Sequence, residues 1–355
     1  MIVQEHGRQD QVKTDHSGLA PAVEVTRGEA IESIHHAAAA VVDCEGNLIA
    51  HLGDPGFVTF SRSSLKPFQA LAGVRRGVPD RFGFQERHLA LVCASHSGEP
   101  RHVEAAREML AAIGARPEDL QCGVHIPLYI HPEEPPIPPK TDFTPLHNNC
   151  SGKHSGMLAL ARVLNAPIDH YLELDSPVQK AIRETVIEML SLSANEIRTG
   201  TDGCSAPNYA VSLRALAAGY ARLSQAANPR LGRSPAGAEG ARIVAAMMRH
   251  PEMISGTGRL DLAISEASGG TLFTKAGGEA VECVGVPERG LGIAIKVGDG
   301  GTRAVGPLLI GVLRELGLLP DGSAAGLNGF AAPILHNHRG IAIGTARYVG
   351  RLIRD

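Results

Sequence analysis

The stretch AAAAVVDCEGNLIAHL, Ala37–Leu52, reads as an antiparallel hairpin. The apolar run Ala37–Val42 forms one arm, Glu45-Gly46-Asn47 the turn, and Leu48–Leu52 the returning arm. Just upstream, Ala22–Arg27 alternates with Val23 and Val25 on one side, as a strand does. Just downstream, Phe57–Phe60 is again extended. Extended segments then return near the other end of the chain. Thr271–Lys275, Glu279–Val286, Leu291–Val297 and Gly340–Val349 are short, β-branched and bounded by glycine, with one helix, Arg303–Leu316, among them.

Between the two groups of strands the period changes to that of helices. Pro67–Val78 is opened by Ser63 or Ser64. Pro100–Ile113 has Pro100 in its first turn, Val103, Ala106, Leu110 and Ile113 on one face, and Gly114 as its stop. Pro177–Leu190 has Ser176 as N-cap and Val178, Ile182, Val186 and Met189 in register. Tyr209–Leu223 and Ala241–His250 continue in the same manner. The economical arrangement is an α+β fold in which both chain ends contribute to one mostly antiparallel sheet around a helical middle. The expected layout is a loose polar tail over 1–20 and one domain over 21–355, its sheet drawn from about 21–62 and 269–350 and its helical region from about 63–268. Pro127–Pro145 holds seven prolines and reads as an ordered connector or the rim of a lid.

A chain of 355 residues that is 43 % apolar can bury a sizeable core. With 34 basic and 37 acidic side chains, its net charge of −3 creates no field suited to nucleic acid or an anionic membrane. Apolar runs such as Ala37–Val42 fall far short of the roughly 18 residues of a membrane span. Six scattered cysteines do not form a secreted disulfide framework, and the polar start lacks a signal-peptide core. These features lead to the expectation of a cytoplasmic protein whose thiols are buried, metal-bound or catalytic.

Two constellations can carry chemistry. Ser63-Ser64-Leu65-Lys66 is a Ser-x-x-Lys at a helix start, where positions i and i+3 share a face and the Ser63 hydroxyl and Lys66 amine are expected to meet. A desolvated lysine of lowered pKa can take a serine's proton. The plainer reading is a capping serine and a surface lysine. Ser95-His96-Ser97-Gly98 follows the apolar run Leu89–Ala94, and Lys275-Ala276-Gly277 closes a late strand. That order follows the logic of β-lactamase and penicillin-binding-protein sites, with S-x-x-K first, a polar Ser loop next and a Lys-x-Gly strand last. The second constellation is Cys150-Ser151-Gly152-Lys153-His154, with Asp202-Gly203-Cys204 fifty residues on. It could ligate a soft metal, but it has no C-x-x-C pair, and by spacing alone two buried thiols in tight turns are the favoured explanation.

Taken together, SRSSLKPFQA (Ser61–Ala70), CASHSGE (Cys93–Glu99), NNCSGKHSGML (Asn148–Leu158), TDGCSAPNYA (Thr201–Ala210), TKAGGEA (Thr274–Ala280) and NHRG (Asn337–Gly340) resemble the asparaginase II family, the Rhizobium etli-type or class 3 L-asparaginases. The resemblance runs in order from about Val23 to Val349. It implies a β-lactamase-like fold, a homodimer, and hydrolysis of L-asparagine to L-aspartate and ammonia. It further implies two Ser-Lys tandems, Ser63 with Lys66 and Ser95 with Lys275. Arg62, His96 and Asp202 would assist substrate binding. One zinc per chain would sit on Cys150, Lys153 and Cys204, completed by water, with Asp202 and His154 nearby. Gly277-Gly278-Glu279 departs from the Ala-Glu-Gly order usual in the family. Of the two serines, Ser95 is taken as nucleophile and Ser63 as orienter. The alternatives are another serine acyl hydrolase (glutaminase, esterase or β-lactamase-like) and a metal-binding protein without catalysis.

Overall fold

The computed structural model describes residues 18–130, 137–320 and 326–354. Most of the tail expected over 1–20 and part of the proline-rich connector, residues 131–136, lie outside the described residues. The strands are β1 (Ala20–Arg27), β2 (Ala30–Asp43), β3 (Leu48–Leu52), β4 (Val58–Phe60), β5 (Arg198–Thr201), β6 (Pro207–Ser212), β7 (Phe273–Ala276), β8 (Val281–Val286), β9 (Leu291–Val297), β10 (Ile334–His336), β11 (Ala342–Tyr348) and β12 (Ile353–Arg354). Among the described residues they form a nine-stranded sheet in the order β10-β11-β1-β2-β9-β8-β7, with β3 pairing to β2 and β12, and a small sheet β4-β6-β5. Every pairing in the large sheet is antiparallel.

The architecture is α+β, with both ends of the chain in one antiparallel sheet and a helical region between them, as the sequence led us to expect. The helices are α1 (Lys66–Val74), α2 (Val78–Phe82), α3 (Glu86–Val92), α4 (Pro100–Ile113), α5 (Ser151–Val163), α6 (Pro177–Leu190), α7 (Leu213–Ala227), α8 (Gly237–Arg249), α9 (Pro251–Ile254), α10 (Leu260–Ala267), α11 (Val305–Glu315) and α12 (Asn328–Ala331). Pro177–Leu190 is capped as expected, the Ser176 hydroxyl accepting from the Gln179 N–H. Two segments differ. Pro67–Val78, expected as one helix, ends as α1 at Val74, and a second helix, α2, starts at Val78 after a left-handed Gly77. Tyr209–Leu223, read as a helix throughout, begins as β6 and turns helical only after Ser212, whose side chain caps α7. The middle of the chain therefore also holds the small sheet.

Strand β2 explains the layers. Its run Ala37–Val42 is apolar at every position because both faces of the sheet are covered. Ala37, Ala39 and Val41 pack in one cluster with Leu308, Leu309 and Val312 of α11. Ala38, Ala40 and Val42 face the other cluster, with Leu216 and Tyr220 of α7 and the rest of the helical middle. Small side chains are needed on that second face because α7 comes very close. A Cβ on Gly292 of β9 would lie 1.9 Å from the Ala217 carbonyl oxygen.

An aromatic junction joins α1, α7 and β7. Tyr220 of α7 meets Phe68 of α1 edge-on at 5.5 Å and stacks on Phe273 of β7 at 5.8 Å. Its hydroxyl donates to the Ser64 carbonyl at 2.7 Å. All three rings are fully or almost fully buried. Contacts of this kind contribute about 0.5–1.5 kcal/mol each beyond area burial. They fix α1, the turn before it and β7 relative to one another.

Candidate active site

Lys66 opens α1 and Lys275 lies in β7, and both side chains are buried. Their amines converge on one oxygen. Lys66 Nζ is 3.0 Å from Ser95 Oγ, and Lys275 Nζ is 2.8 Å from it. Lys66 also donates to the Ala94 carbonyl, and Lys275 to the Ala276 carbonyl at 2.5 Å. The expected meeting of Ser63 with Lys66 does not occur. Among the described residues the Lys66 amine is engaged by Ser95 and Ala94 instead, because Arg62–Leu65 forms a separate 3-10 turn before α1 begins. Ser63 is half-buried and lines the same cavity as Ser95.

Ser95 sits just after α3, where the chain runs extended between two neighbours. Its N–H donates to the Ile254 carbonyl, and the next N–H donates to Asn149. On the other side, Asp261 of α10 braces β7. Its Oδ1 accepts from the Thr274 hydroxyl and the Ala276 N–H, both at 3.0 Å, on either side of Lys275. Burial, then the nearby Lys66 charge, bring the Lys275 pKa down to about 8. Burial pushes the neighbouring Cys93 thiol up to about 12, against the pull of the two lysines, so it is no rival nucleophile.

The cavity above Ser95 has a volume of about 460 Å³ and is lined also by Arg62, Ser63, His125, Asn149, Cys150, Asp202, Cys204, Arg259 and Ala276–Gly278. Arg62 stands at φ 52°, a left-handed backbone that costs a non-glycine residue about 1–2 kcal/mol. Asn208 holds it there by accepting its N–H at 3.1 Å, and Asp202 by accepting from its Nε at 2.8 Å. Burial pushes the Asp202 carboxyl up, but Lys153, Arg62 and the Gly203 N–H outweigh it and hold the group below its ordinary range. His96 does not line the cavity. It is fully buried, with Nε2 2.9 Å from the Ser151 hydroxyl and Nδ1 accepting from the Gly98 N–H. It supports the wall that carries Ser95 and Cys150.

Cys150, Lys153 and Cys204 come together. The cysteines are not both in turns, as the glycines around them suggested. Cys150 is the N-cap of α5, Lys153 lies in that helix's first turn, and Cys204 lies in the turn between β5 and β6. Gly152 lets the start of α5 press on α3, since a Cβ there would lie 2.3 Å from the Leu91 carbonyl oxygen. Lys153 Nζ is 2.9 Å from Cys204 Sγ, and all three side chains are almost wholly buried. A hydrogen bond between the sulfurs lowers the Cys150 pKa and raises that of Cys204. Burial opposes the Lys153 charge, but the two sulfurs more than offset it and raise the pKa of that amine. Among the described residues no group of three or more His, Cys, Asp or Glu could hold a metal. Two convergent sulfurs and an amine nevertheless fit a tetrahedral soft-metal site, provided the amine gives up its proton. His154, expected nearby, turns to the Tyr171 hydroxyl at 2.7 Å.

Arg259 was not anticipated from the sequence. It is the N-cap of the short helix α10 and carries no motif; only its distance from any expected core stripe could have drawn attention to it. No described helix is long and apolar enough to cross a membrane.

The sequence profile of the L-asparaginase II family matches residues 23–348. No curated protein sequence matches the chain. Solved structures show only distant likeness. Mglu in its glutamate form is 15% identical over 83% of this chain and 64% of that one, with a TM-score of 0.35. A Bacillus glutaminase determined in 4.3 M NaCl is 14% identical over 80% of this chain and 91% of that one, at 0.37. A β-lactamase from Mycobacterium bovis is 13% identical over 79% of this chain and 94% of that one, at 0.33. Likenesses at these scores carry no weight for the chemistry of this chain.

Proposed function

The chain belongs to the L-asparaginase II family, a family of amidohydrolases, and from that premise we propose that it hydrolyses L-asparagine to L-aspartate and ammonia through an acyl-enzyme on Ser95. The observation that carries the reading is the single Ser95 oxygen held by two buried lysine amines.

With its pKa near 8, Lys275 is partly neutral at neutral pH and accepts the Ser95 proton as the oxygen attacks the side-chain carbonyl of the substrate. Lys66 hydrogen-bonds the same oxygen and stabilises charge as it develops. The carbonyl oxygen becomes an oxyanion and needs N–H donors. On the Lys275 strand the Ala276 N–H is taken by Asp261 and the Gly277 N–H by Val281. Among the described residues no acceptor pairs with the N–H of Ser63 or Gly278, and both line the cavity, so these two are assigned as the donors. Protonated Lys275 then gives its proton to the departing nitrogen, and ammonia leaves. Water, deprotonated by the same lysine, splits the β-aspartyl ester and restores Ser95. Ser63 orients the substrate from the cavity wall.

Zinc is proposed on Cys150, Lys153 and Cys204, where it would supply a Lewis-acidic grip on the amino-acid end of the substrate. The chain's own residues perform each proton transfer. A homodimer is proposed on the same family ground.

Ammonia release measured side by side with L-asparagine, L-glutamine and D-asparagine tests the reading. L-asparagine should be turned over fastest. Equal or faster release from L-glutamine would make the enzyme a glutaminase, since one methylene is worth only about 1–3 kcal/mol in a pocket. No release from any of the three would remove the amidohydrolase reading.

A further inference from the structure

Two arginines line the cavity above Ser95, and they differ in one respect. The Arg62 guanidinium is committed to Asp202 at 2.8 Å, with Glu279 at 3.9 Å. Among the described residues the Arg259 side chain has no hydrogen bond and no ion pair, although it is half-buried. Its charge is felt by the buried Glu282 carboxyl, whose pKa is raised well above the ordinary range by burial and then by the nearby Asp261. Two other polar side chains of the wall are engaged. His125 bonds the Ile126 carbonyl and the Asn149 N–H, and Asn148 bonds Cys122 and Gly123. A guanidinium that faces a cavity without a partner is a fork of donors waiting for an anion.

Its place in the wall bears on which anion. Arg259 shares the Ala276–Gly278 side of the cavity with the strand that carries Lys275, and an adjoining cavity of about 350 Å³ opens past the same residues. Asp202, the carboxylate of this wall, is matched by Arg62. An incoming carboxylate therefore meets, in Arg259, a guanidinium that has no carboxylate ion pair among the described residues.

We infer that Arg259 is the residue that selects substrates bearing a free α-carboxylate, binding that group while the side-chain amide lies at Ser95. The inference rests on the amidohydrolase reading and goes beyond it by assigning the charge complement of the substrate. A bidentate guanidinium–carboxylate contact is lost when either partner is removed, so the enzyme variant and the truncated substrate should report the same interaction.

The experiment compares L-asparagine with 3-aminopropanamide, which is asparagine without its carboxylate, on the wild type, R259Q and R259K. For R259Q the KM for L-asparagine should rise roughly 10- to 150-fold, with a smaller change in kcat. The wild-type preference in kcat/KM for L-asparagine over 3-aminopropanamide should shrink by a similar factor. R259K keeps the charge but loses the fork, and its KM should fall between the two. Binding of L-aspartate, measured by calorimetry, should weaken in the same order. If R259Q keeps the wild-type KM and the wild-type preference while the wild type turns over L-asparagine, the assignment of Arg259 is wrong and the amidohydrolase reading stands. If R259Q slows both amides equally, Arg259 serves the fold or the chemistry and the inference also falls. If the wild type releases ammonia from neither compound, both readings fall together.

Discussion

Replacing Lys66 by methionine tests the two-lysine arrangement through the pH dependence of turnover. Lys66 and Lys275 both contact Ser95 Oγ, at 3.0 and 2.8 Å, so their nitrogens lie within roughly 6 Å of each other. At an effective dielectric of about 20, two positive charges at that distance repel by about 3 kcal/mol, enough to move a titration by about two pH units. The sign is fixed by the chemistry. Lys275 must be neutral to accept the proton, so kcat/KM rises with pH as Lys275 loses its charge. In the wild type this limb should lie near the Lys275 pKa of about 8. At pH 7 roughly a tenth of the enzyme would be active, against about 0.03 % for an unperturbed lysine, a gain of about 300-fold. In Lys66→Met the repulsion is gone while burial still acts, so the limb should move to higher pH and the plateau should fall with the lost hydrogen bond. The assay is initial-rate ammonia release from L-asparagine between pH 5.5 and 10. A limb that stays in place in the variant, or moves to lower pH, would refute the reasoning. So would a wild-type profile that is flat across pH 7–9.

Ser95→Ala should lower turnover by at least about 10³-fold without changing the melting temperature, and Ser63→Ala should lower it less; residues of one catalytic unit are non-additive, so the double variant should be barely worse than Ser95→Ala. Near-wild-type kcat in Ser95→Ala would move the nucleophile elsewhere. Protein prepared with zinc should carry up to one ion per chain by elemental analysis, with loading that falls as pH drops and is lost in Cys150→Ser, because lysine must give up a proton to ligate. Unchanged loading in that variant would leave the cysteines as buried thiols. Gly292→Ala would place a methyl 1.9 Å from the Ala217 carbonyl oxygen and should cost about 1–3 kcal/mol, read as a fall in melting temperature of several degrees; an unchanged melt would mean that α7 shifts away freely.

Local chemistry was legible from the order of residues alone. Pro100–Ile113 and Pro177–Leu190 stand where their caps and periodicity put them, and Leu48–Leu52 and Leu291–Val297 are strands over those same residues. The proline that opens a helix, the glycine that ends one and the hydroxyl that caps one act over three or four residues, so one-dimensional reading recovers them. Where the local signal is mixed, tertiary packing decided. Tyr209–Ser212 could continue the helical period of α7, but Phe60 and Arg198 pair with Ala210 on either side and hold that stretch extended. The start of α5 is Ser-Gly-Lys-His-Ser-Gly, poor in helix formers, yet it is helical because its small residues allow close packing on α3. The site shows the same division. The family-wide strings located Ser63, Lys66, Ser95 and Lys275, but sequence spacing paired Lys66 with the hydroxyl three residues before it. Only the folded chain carries that amine 29 residues on to Ser95, and brings Lys275 to the same oxygen from 180 residues away. Arg259 is the extreme case: nothing in its neighbourhood of sequence marks it, and what distinguishes it is the lack of a described hydrogen-bond or ion-pair partner around its side chain. Spacing along a chain can specify which groups share a turn or a face, but which charge meets which, and which is left unmatched, depends on the three-dimensional path that burial of the apolar surface imposes.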